Sequence, residues 1–527
     1  MVSSSRSVLV TLLFFLLAES GLCQKYFPDD PIEVAPPPIA VKDPYVRDIN
    51  RIYDFLYNSI RPDSWSGPPG GAINTLGNVP DSAWFTNRHS RHRMSREELQ
   101  RGAGADHPPI LPFTVISGKT GVTPGFEMRD SAGRLYFVKL DPVKNPEMAT
   151  ATEVIASKFL YAIGYNTPEN YIVTAKLSDF RLSKRATLDS RQMTWGDFCG
   201  IISKTSMFNH KFRLVASLGL DGKPIGPFRF EGTRSDDPND IVPHENRRDL
   251  RGLHVFAAWL NHTDVKGINS LDTVVQENGT PYIRHHLIDF GNALGSDATW
   301  PKDARHGNEF DIPKPGTALG RIFSLGLFPT EWEKAEFPDI EAVGNLRSAG
   351  FNPEKWKSNY PNPAFLHRLP DDEFWAAKTV MGFNDDDIRT IVETGRFSDR
   401  GVVDCITAIL AERRDRIGRT YFSKVLPLDN FRVQNGELQF DDLAVKYGFA
   451  PPRRYTVEWF YLDNATQERK QLPGSVDLQL PNEILNAAAG SYYSVVIRLA
   501  GEARNTVAVD LRKTQTGIEV VGIERTW

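Results

Sequence analysis

The order in which hydrophobic periodicity changes along the chain is the strongest constraint on its fold. From Pro112 the sequence alternates as strands do, in "FTVISGK", "FEMRD" and "RLYFVKL", with a "DSAG" turn between the last two. A helical stretch from Glu147 to Ile163 follows, with Val154, Ile155, Phe159, Leu160 and Ile163 on one face and Gly164 suited to end it. "NYIVTAKL" and "GIISKTSM" read as further strands, and "KFRLVASLGLDGKPIGPFRF" as a hairpin turning at Asp221-Gly222. From His244 to about Leu426 the period becomes helical, clearest in "ENRRDLRGLHVFAAWLNH", "DDDIRTIVETG" and "DCITAILAERRDRIGRTYFSKVL". One hairpin, "LDTVVQENGTPYIRHHLID", interrupts that block. Alternation returns from about Asp429, in "YTVEWFYL", "YSVVIRLA", "TVAVDLR" and "IEVVGIERTW". The order predicts an α+β chain: a strand-rich lobe, a helical lobe, then a small all-β module. A cleft between two lobes is the natural place for a ligand.

The start of the chain has a different character. Residues 1–23 carry one positive charge, Arg6, then the apolar run Val8 to Ala18, then the small residues Ser20 and Gly21. That run is about half the roughly 20 residues a bilayer core requires, so a cleavable secretory signal is predicted, with release near Cys23 and Gln24. The expected location is periplasmic or extracellular, with no transmembrane segment in the mature chain. Residues 24–107 read as a proline-rich linker and a helical arm, in which "YVRDINRIYDFLYNSI" spaces Val46, Ile49, Ile52, Tyr53 and Leu56 for packing on the main domain. Arg88, Arg91 and Arg93, with neighbouring histidines, read as solvated surface, phosphate or partner binding being the alternative. The predicted lobes span 108–243 and 244–426, and the β module spans 427–527.

Charge and cysteine content narrow the classes. With 62 basic and 66 acidic residues the net charge is −4, which disfavours a nucleic-acid binder. Three cysteines, Cys23, Cys199 and Cys405, are too few and too scattered for a disulfide scaffold or a cysteine metal cluster.

The chemistry concentrates in "WLNHTDVKGINSLDTVVQENGTPYIRHHLIDFGNALGS". His262, Asp264, Lys266 and Asn269 form the pattern H-x-D-x-K-x-x-N, and Asp289-Phe290-Gly291 follows after the hairpin. This ordered set resembles the catalytic loop and metal-binding DFG of the protein-kinase-like superfamily. The resemblance implies a two-lobed protein-kinase-like fold and phosphoryl transfer from ATP with Mg²⁺. Asp264 would accept the proton of the attacking hydroxyl, Lys266 would stabilise the transferring phosphoryl group, and Asn269 and Asp289 would hold the metal. Gly291 would let the chain turn so that Asp289 faces the cleft. Lys139, ending "YFVKL", lies where the family's nucleotide-positioning lysine does, and Glu153 lies at its helical partner's place, with Glu147 the competitor. The turn "SGKTGVTPGF" offers Gly118, Gly121 and Gly125 as a phosphate-covering loop, an ordinary hairpin being the equal alternative.

The departures shape the expected branch. Thr263 replaces the arginine of H-R-D, and no A-P-E follows the DFG, so the chain is more similar to the atypical branch: HipA-like, CotH-like and phosphatidylinositol 3/4-kinase-like proteins, and exported bacterial members of it. No H-E-x-x-H or G-x-S-x-G string supports a metalloprotease or serine hydrolase. Adjacent His285 and His286 point to opposite strand faces and make a poor metal pair. The expectation is an exported ATP- and Mg-dependent phosphotransferase whose acceptor (protein, lipid headgroup or sugar) stays open. A silent kinase-fold scaffold of the cell envelope and a nucleotidyl (AMP) transferase are the alternatives.

Overall fold

The computed structural model describes residues 24–61, 67–119, 125–312, 332–473, 477–502 and 504–527. The predicted signal segment and Gly121 lie outside them. Two compact units are present: one built from Ile32–Pro427 with Asp442–Pro452, the other from Leu428–Asp441 and Arg453–Thr526 with residues 24–31.

The larger unit begins with helices α1 (Arg51–Ser59) and α2 (Arg96–Arg101). Its strand-rich part is one eight-stranded sheet in the order β4-β8-β3-β2-β1-β5-β6, with β7 paired to β8 off this path. In chain order these are β1 (Phe113–Lys119), β2 (Gly125–Arg129), β3 (Leu135–Leu140), β4 (Asn170–Ala175), β5 (Phe180–Leu188), β6 (Arg191–Gln192), β7 (Met207–Phe208) and β8 (Lys211–Leu218). Helix α3 (Met148–Ile163) follows β3 and is buried along almost its whole length. Gly164 ends it at φ 148°, where a Cβ would stand 2.2 Å from the Phe85 ring, so only glycine fits there.

Two sequence readings are corrected here. "GIISKTSM" is not a strand: Gly200 to Ile202 end helix α4 (Trp195–Ile202), which starts on a reciprocal Thr194–Asp197 capping box. That box satisfies the first-turn donors and outweighs the short apolar run. The hairpin at Asp221-Gly222 does not form either. β8 pairs with β3 and β4, so both its edges are spent, and the chain crosses over to put β9 (Lys223–Pro224) beside β10 (Ser270–Glu277).

The helical part packs α5 (Arg248–Leu260) against α7 (Pro370–Met381), α8 (Asp385–Glu393) and α9 (Arg400–Phe422), with short α6 (Pro363–Leu366) between. Trp259, Phe256 and Leu253 of α5 are fully buried. The hairpin expected inside this block is present: β10 and β11 (Thr280–Leu287) pair antiparallel around Asn278 (φ 49°) and Gly279 (φ 81°), the left-handed pair such a two-residue turn needs.

Helix α1 departs from its expected packing. Ile49 beside it is buried, whereas Ile52, Tyr53 and Leu56 are 71, 62 and 51% exposed. The smaller unit is all-β apart from one helical turn, Asn482–Leu485, with a five-stranded antiparallel sheet whose main strands are Tyr455–Leu462, Tyr492–Leu499, Thr506–Lys513 and Ile518–Arg525. Within it the Tyr26 hydroxyl donates to buried Asp510 at 2.7 Å. Among the described residues no helix is long and apolar enough to cross a membrane.

Candidate active site

Helix α5 ends where the chemistry begins. Asn261 caps it in the left-handed conformation (φ 51°), a role asparagine takes more readily than most residues, and its Oδ1 accepts from the Trp356 indole at 3.0 Å. The chain then runs free of helix through Asp264 and Lys266 to a single 3-10 turn, Gly267–Asn269. That turn brings Asn269 back onto the loop: its amide donates to the Asp264 carbonyl at 2.8 Å and to Asp264 Oδ2 at 2.9 Å. Lys266 Nζ pairs with Asp264 Oδ1 at 2.6 Å. Spacings of two and five residues from Asp264 thus become one cluster around a single carboxylate.

A second cluster joins three separate elements. Lys139, near the end of β3, donates to Glu153 Oε2 of α3 at 2.9 Å and to Asp289 Oδ1 at 2.7 Å. Glu153 is buried, and its other oxygen accepts the Phe290 N–H at 2.9 Å. Burial opposes the charge on Lys139, but Asp289 and Glu153 outweigh it and hold the ammonium above its usual pKa. The same lysine holds the Asp289 carboxyl below the usual range, outweighing partial desolvation by the surrounding cleft, with Lys266 adding to it. Of the two acids considered in the sequence, Glu153 reaches the lysine; Glu147 turns to the Ser398 N–H and hydroxyl.

The turn expected of Gly291 is made two residues earlier, on Asp289 itself at φ 62°. What Gly291 supplies is room. A Cβ there would sit 3.2 Å from Glu153 Oε2. Gly118 likewise has an interior reason to be glycine, since a Cβ would meet Met193 at 2.7 Å and the Phe126 ring at 3.1 Å. Gly125 opens β2 directly opposite Lys139 in the β2–β3 register.

Several contributors carry no motif. Lys302, with no exposed surface, donates to the Asn261 carbonyl (3.2 Å), Thr263 Oγ1 (2.7 Å), and the carbonyl and side chain of Asn292. It thereby ties the loop carrying Asp264 to the segment that follows Asp289, at the place where Thr263 stands instead of arginine. Burial pulls Lys302 down to about 7, against the attraction of Asp297, Asp264 and Asp311. His262 completes the tie by donating from Nδ1 to the Asn292 carbonyl at 3.1 Å, and burial lowers it to about 4, so it is neutral. Asn359 approaches from the other side: its backbone N–H donates to the Thr263 carbonyl at 2.8 Å and its side chain to Asp264 Oδ1 at 3.3 Å. Sequence separation hides both residues.

His285 and His286 separate as predicted: His285 bonds Asp272 at 2.7 Å and stacks on Trp84, while His286 faces Thr273. Arg91 and Arg93 are paired with Asp81 and Asp387, and Arg88 caps the carbonyls of Tyr161 and Tyr165, so that cluster is spent internally.

Among the described residues no group of three or more His, Cys, Asp or Glu converges as a metal cage. A small hard cation carried with phosphates needs only one or two protein oxygens. The Asp289 side chain, half exposed, and the Asn269 amide oxygen are of that type.

No protein-family model and no curated protein matches the chain by sequence. Among solved structures it is similar to the Helicobacter pylori proinflammatory kinase CtkA, at 12% identity over 60% of this chain and 99% of that one, with a TM-score of 0.32. It is also similar to the Golgi casein kinase, at 10% identity over 75% and 96% of the two chains, TM-score 0.31. A Golgi casein kinase structure with Mn/ADP bound gives 9%, 62%, 73% and 0.30. Scores this low carry no functional argument.

Proposed function

We propose that the chain is a kinase-like phosphotransferase that uses ATP with a divalent cation, Mg²⁺ by the nature of the oxygen ligands. The observation that carries this is the junction of β3, α3 and the loop after β11 through Lys139, Glu153 and Asp289, beside a second carboxylate, Asp264, that binds Asn269 and Lys266. Phosphoryl transfer demands positioning and charge neutralisation, and these two clusters offer both. Lys139, oriented by Glu153, would contact the nucleotide phosphates. Asp289 and Asn269 would hold the metal, which when bound neutralises phosphate charge. Asp264 would accept the proton as the acceptor oxygen bonds to the γ-phosphorus and the bond to ADP breaks; Lys266 would balance the charge on the transferring group. Gly118 and Gly125 would border the phosphates.

Export remains part of the proposal, on the strength of the N-terminal apolar segment, and implies work in the periplasm or outside the cell. The test is incubation of the purified chain with Mg²⁺ and ATP labelled in turn at the γ and α positions. Transfer of the γ label supports the reading. Transfer of the α label replaces it with nucleotidyl transfer, and movement of neither, without nucleotide binding, leaves a scaffold.

A further inference from the structure

A cavity of about 480 Å³ opens on the far side of Asp264, and neither Lys139, Glu153 nor Asp289 lines it. Part of its wall is apolar: Ile52, Phe55 and Leu56 from α1, Ile268 from the catalytic loop, and the Tyr360 ring. Helix α1 is fastened there by the Tyr360 hydroxyl, which donates to Asp54 at 2.7 Å, and by edge-to-face packing of Phe55 on Tyr360. The exposed Ile52 and Leu56 are therefore held in place over the cavity while remaining open to a ligand. The polar end is formed by Asp264 and Asn359. Asn359 spends its N–H groups on Thr263 and Asp264, while its Oδ1 is buried with no hydrogen-bond partner among the described residues. An acceptor oxygen left bare at the back of a cavity is costly unless a ligand donates to it.

We propose that this cavity is the acceptor site, and that it takes a polypeptide whose phosphorylated hydroxyl stands next to a large apolar side chain. This rests on Asp264 being the proton acceptor. The hydroxyl would lie at Asp264, the neighbouring apolar side chain between Ile52, Leu56 and Ile268, and a peptide N–H on Asn359 Oδ1. A sugar is disfavoured because the Ile52, Phe55, Leu56 and Ile268 side chains and the Tyr360 ring would bury its hydroxyls without partners. An anionic lipid headgroup is disfavoured because the lining carries three carboxylates, Asp54, Asp264 and Asp311, against Arg51 and Lys266, and Lys266 is already paired. The exposed apolar residues Tyr53 and Ile60 extend the strip beyond the cavity, as an extended chain requires and a small metabolite does not.

The experiment presents the full chain with Mg²⁺ and γ-labelled ATP to peptides holding one Ser, Thr or Tyr with each neighbour varied, and in parallel to phosphatidylinositol vesicles and to free sugars. Peptides with Leu or Phe beside the hydroxyl are expected to exceed those with Gly or Asp by roughly ten- to a hundredfold in kcat/KM, the range that burying one such side chain supplies. In the Ile52→Glu/Leu56→Glu variant the preferred neighbour should change to Lys or Arg, a ratio that partial loss of folded protein would not reverse. Equal rates across the peptides, or labelling of vesicles or sugars in their place, overturns the inference. If ATP with Mg²⁺ stabilises the chain thermally and is hydrolysed while every peptide stays unlabelled, this inference falls and the phosphotransferase reading stands. If nucleotide neither binds nor turns over, both fall.

Discussion

Two charged triads in the larger unit invite comparison. In one, Arg234, Asp272 and His285 are linked at 3.3 and 2.7 Å, and all three side chains are at most 2% exposed. In the other, Lys139, Glu153 and Asp289 are linked at 2.9 and 2.7 Å, but exposure rises from 3% at Glu153 to 29% at Lys139 and 50% at Asp289. The first is closed, with Trp84 stacked 3.5 Å over the histidine, and nothing further can bind. The second is sealed at Glu153 and open at Asp289. Charge clustering alone does not mark a site; a cluster that keeps one member available to a ligand does.

Breaking each triad should produce opposite signatures. Removing the proposed base, Asp264→Asn, should cost on the order of a thousandfold in transfer rate, with ATP binding retained and the unfolding midpoint little changed. Asp272→Ala in the closed triad should cost roughly 3 kcal/mol of stability, as denaturant unfolding would measure, because it removes the buried carboxylate that Arg234 and His285 share and leaves Arg234 only its pair with Asp236. Its folded fraction should still bind nucleotide. Gly291→Ala, which crowds the Glu153 carboxylate without removing any charge, should slow transfer about tenfold through the misplaced Lys139–Glu153 pair, seen as lower kcat in steady-state kinetics.

The smallest effect concerns Lys302. Its folded pKa of about 7 lies below the ordinary 10.5, so between those values the unfolded chain binds the extra proton. Stability should accordingly rise with pH across that window, by up to about 1 kcal/mol per pH unit, and be flat in this respect below pH 7. Lys302→Met should remove that slope. Thermal unfolding at pH 7 and pH 9 checks it.

How far the sequence reveals this arrangement depends on distance along the chain. Asp264, Lys266 and Asn269 are legible because a loop and one 3-10 turn keep them together, and the Asn278-Gly279 turn announces the hairpin leading to Asp289. Lys139 and Glu153 can be paired once that pattern is seen, since a strand end and a buried helix face are each readable. Asn359 and Lys302 are not, for their contacts close over 95 and 39 residues with no periodicity to mark them. Local pattern also misleads where tertiary pairing decides: β8 ends as a hairpin would, yet its edges belong to β3 and β4. The apolar stripe of α1 promises burial and instead lines an open cavity.

The central claim is that the open triad is a metal–nucleotide site, and calorimetric titration of ATP with and without Mg²⁺ tests it most directly. The account predicts that the unaltered chain binds ATP far more tightly when Mg²⁺ is present, and that Asp289→Ala abolishes this dependence while remaining folded. Binding that is indifferent to Mg²⁺ in the unaltered chain, or a dependence that survives intact in Asp289→Ala, would contradict it.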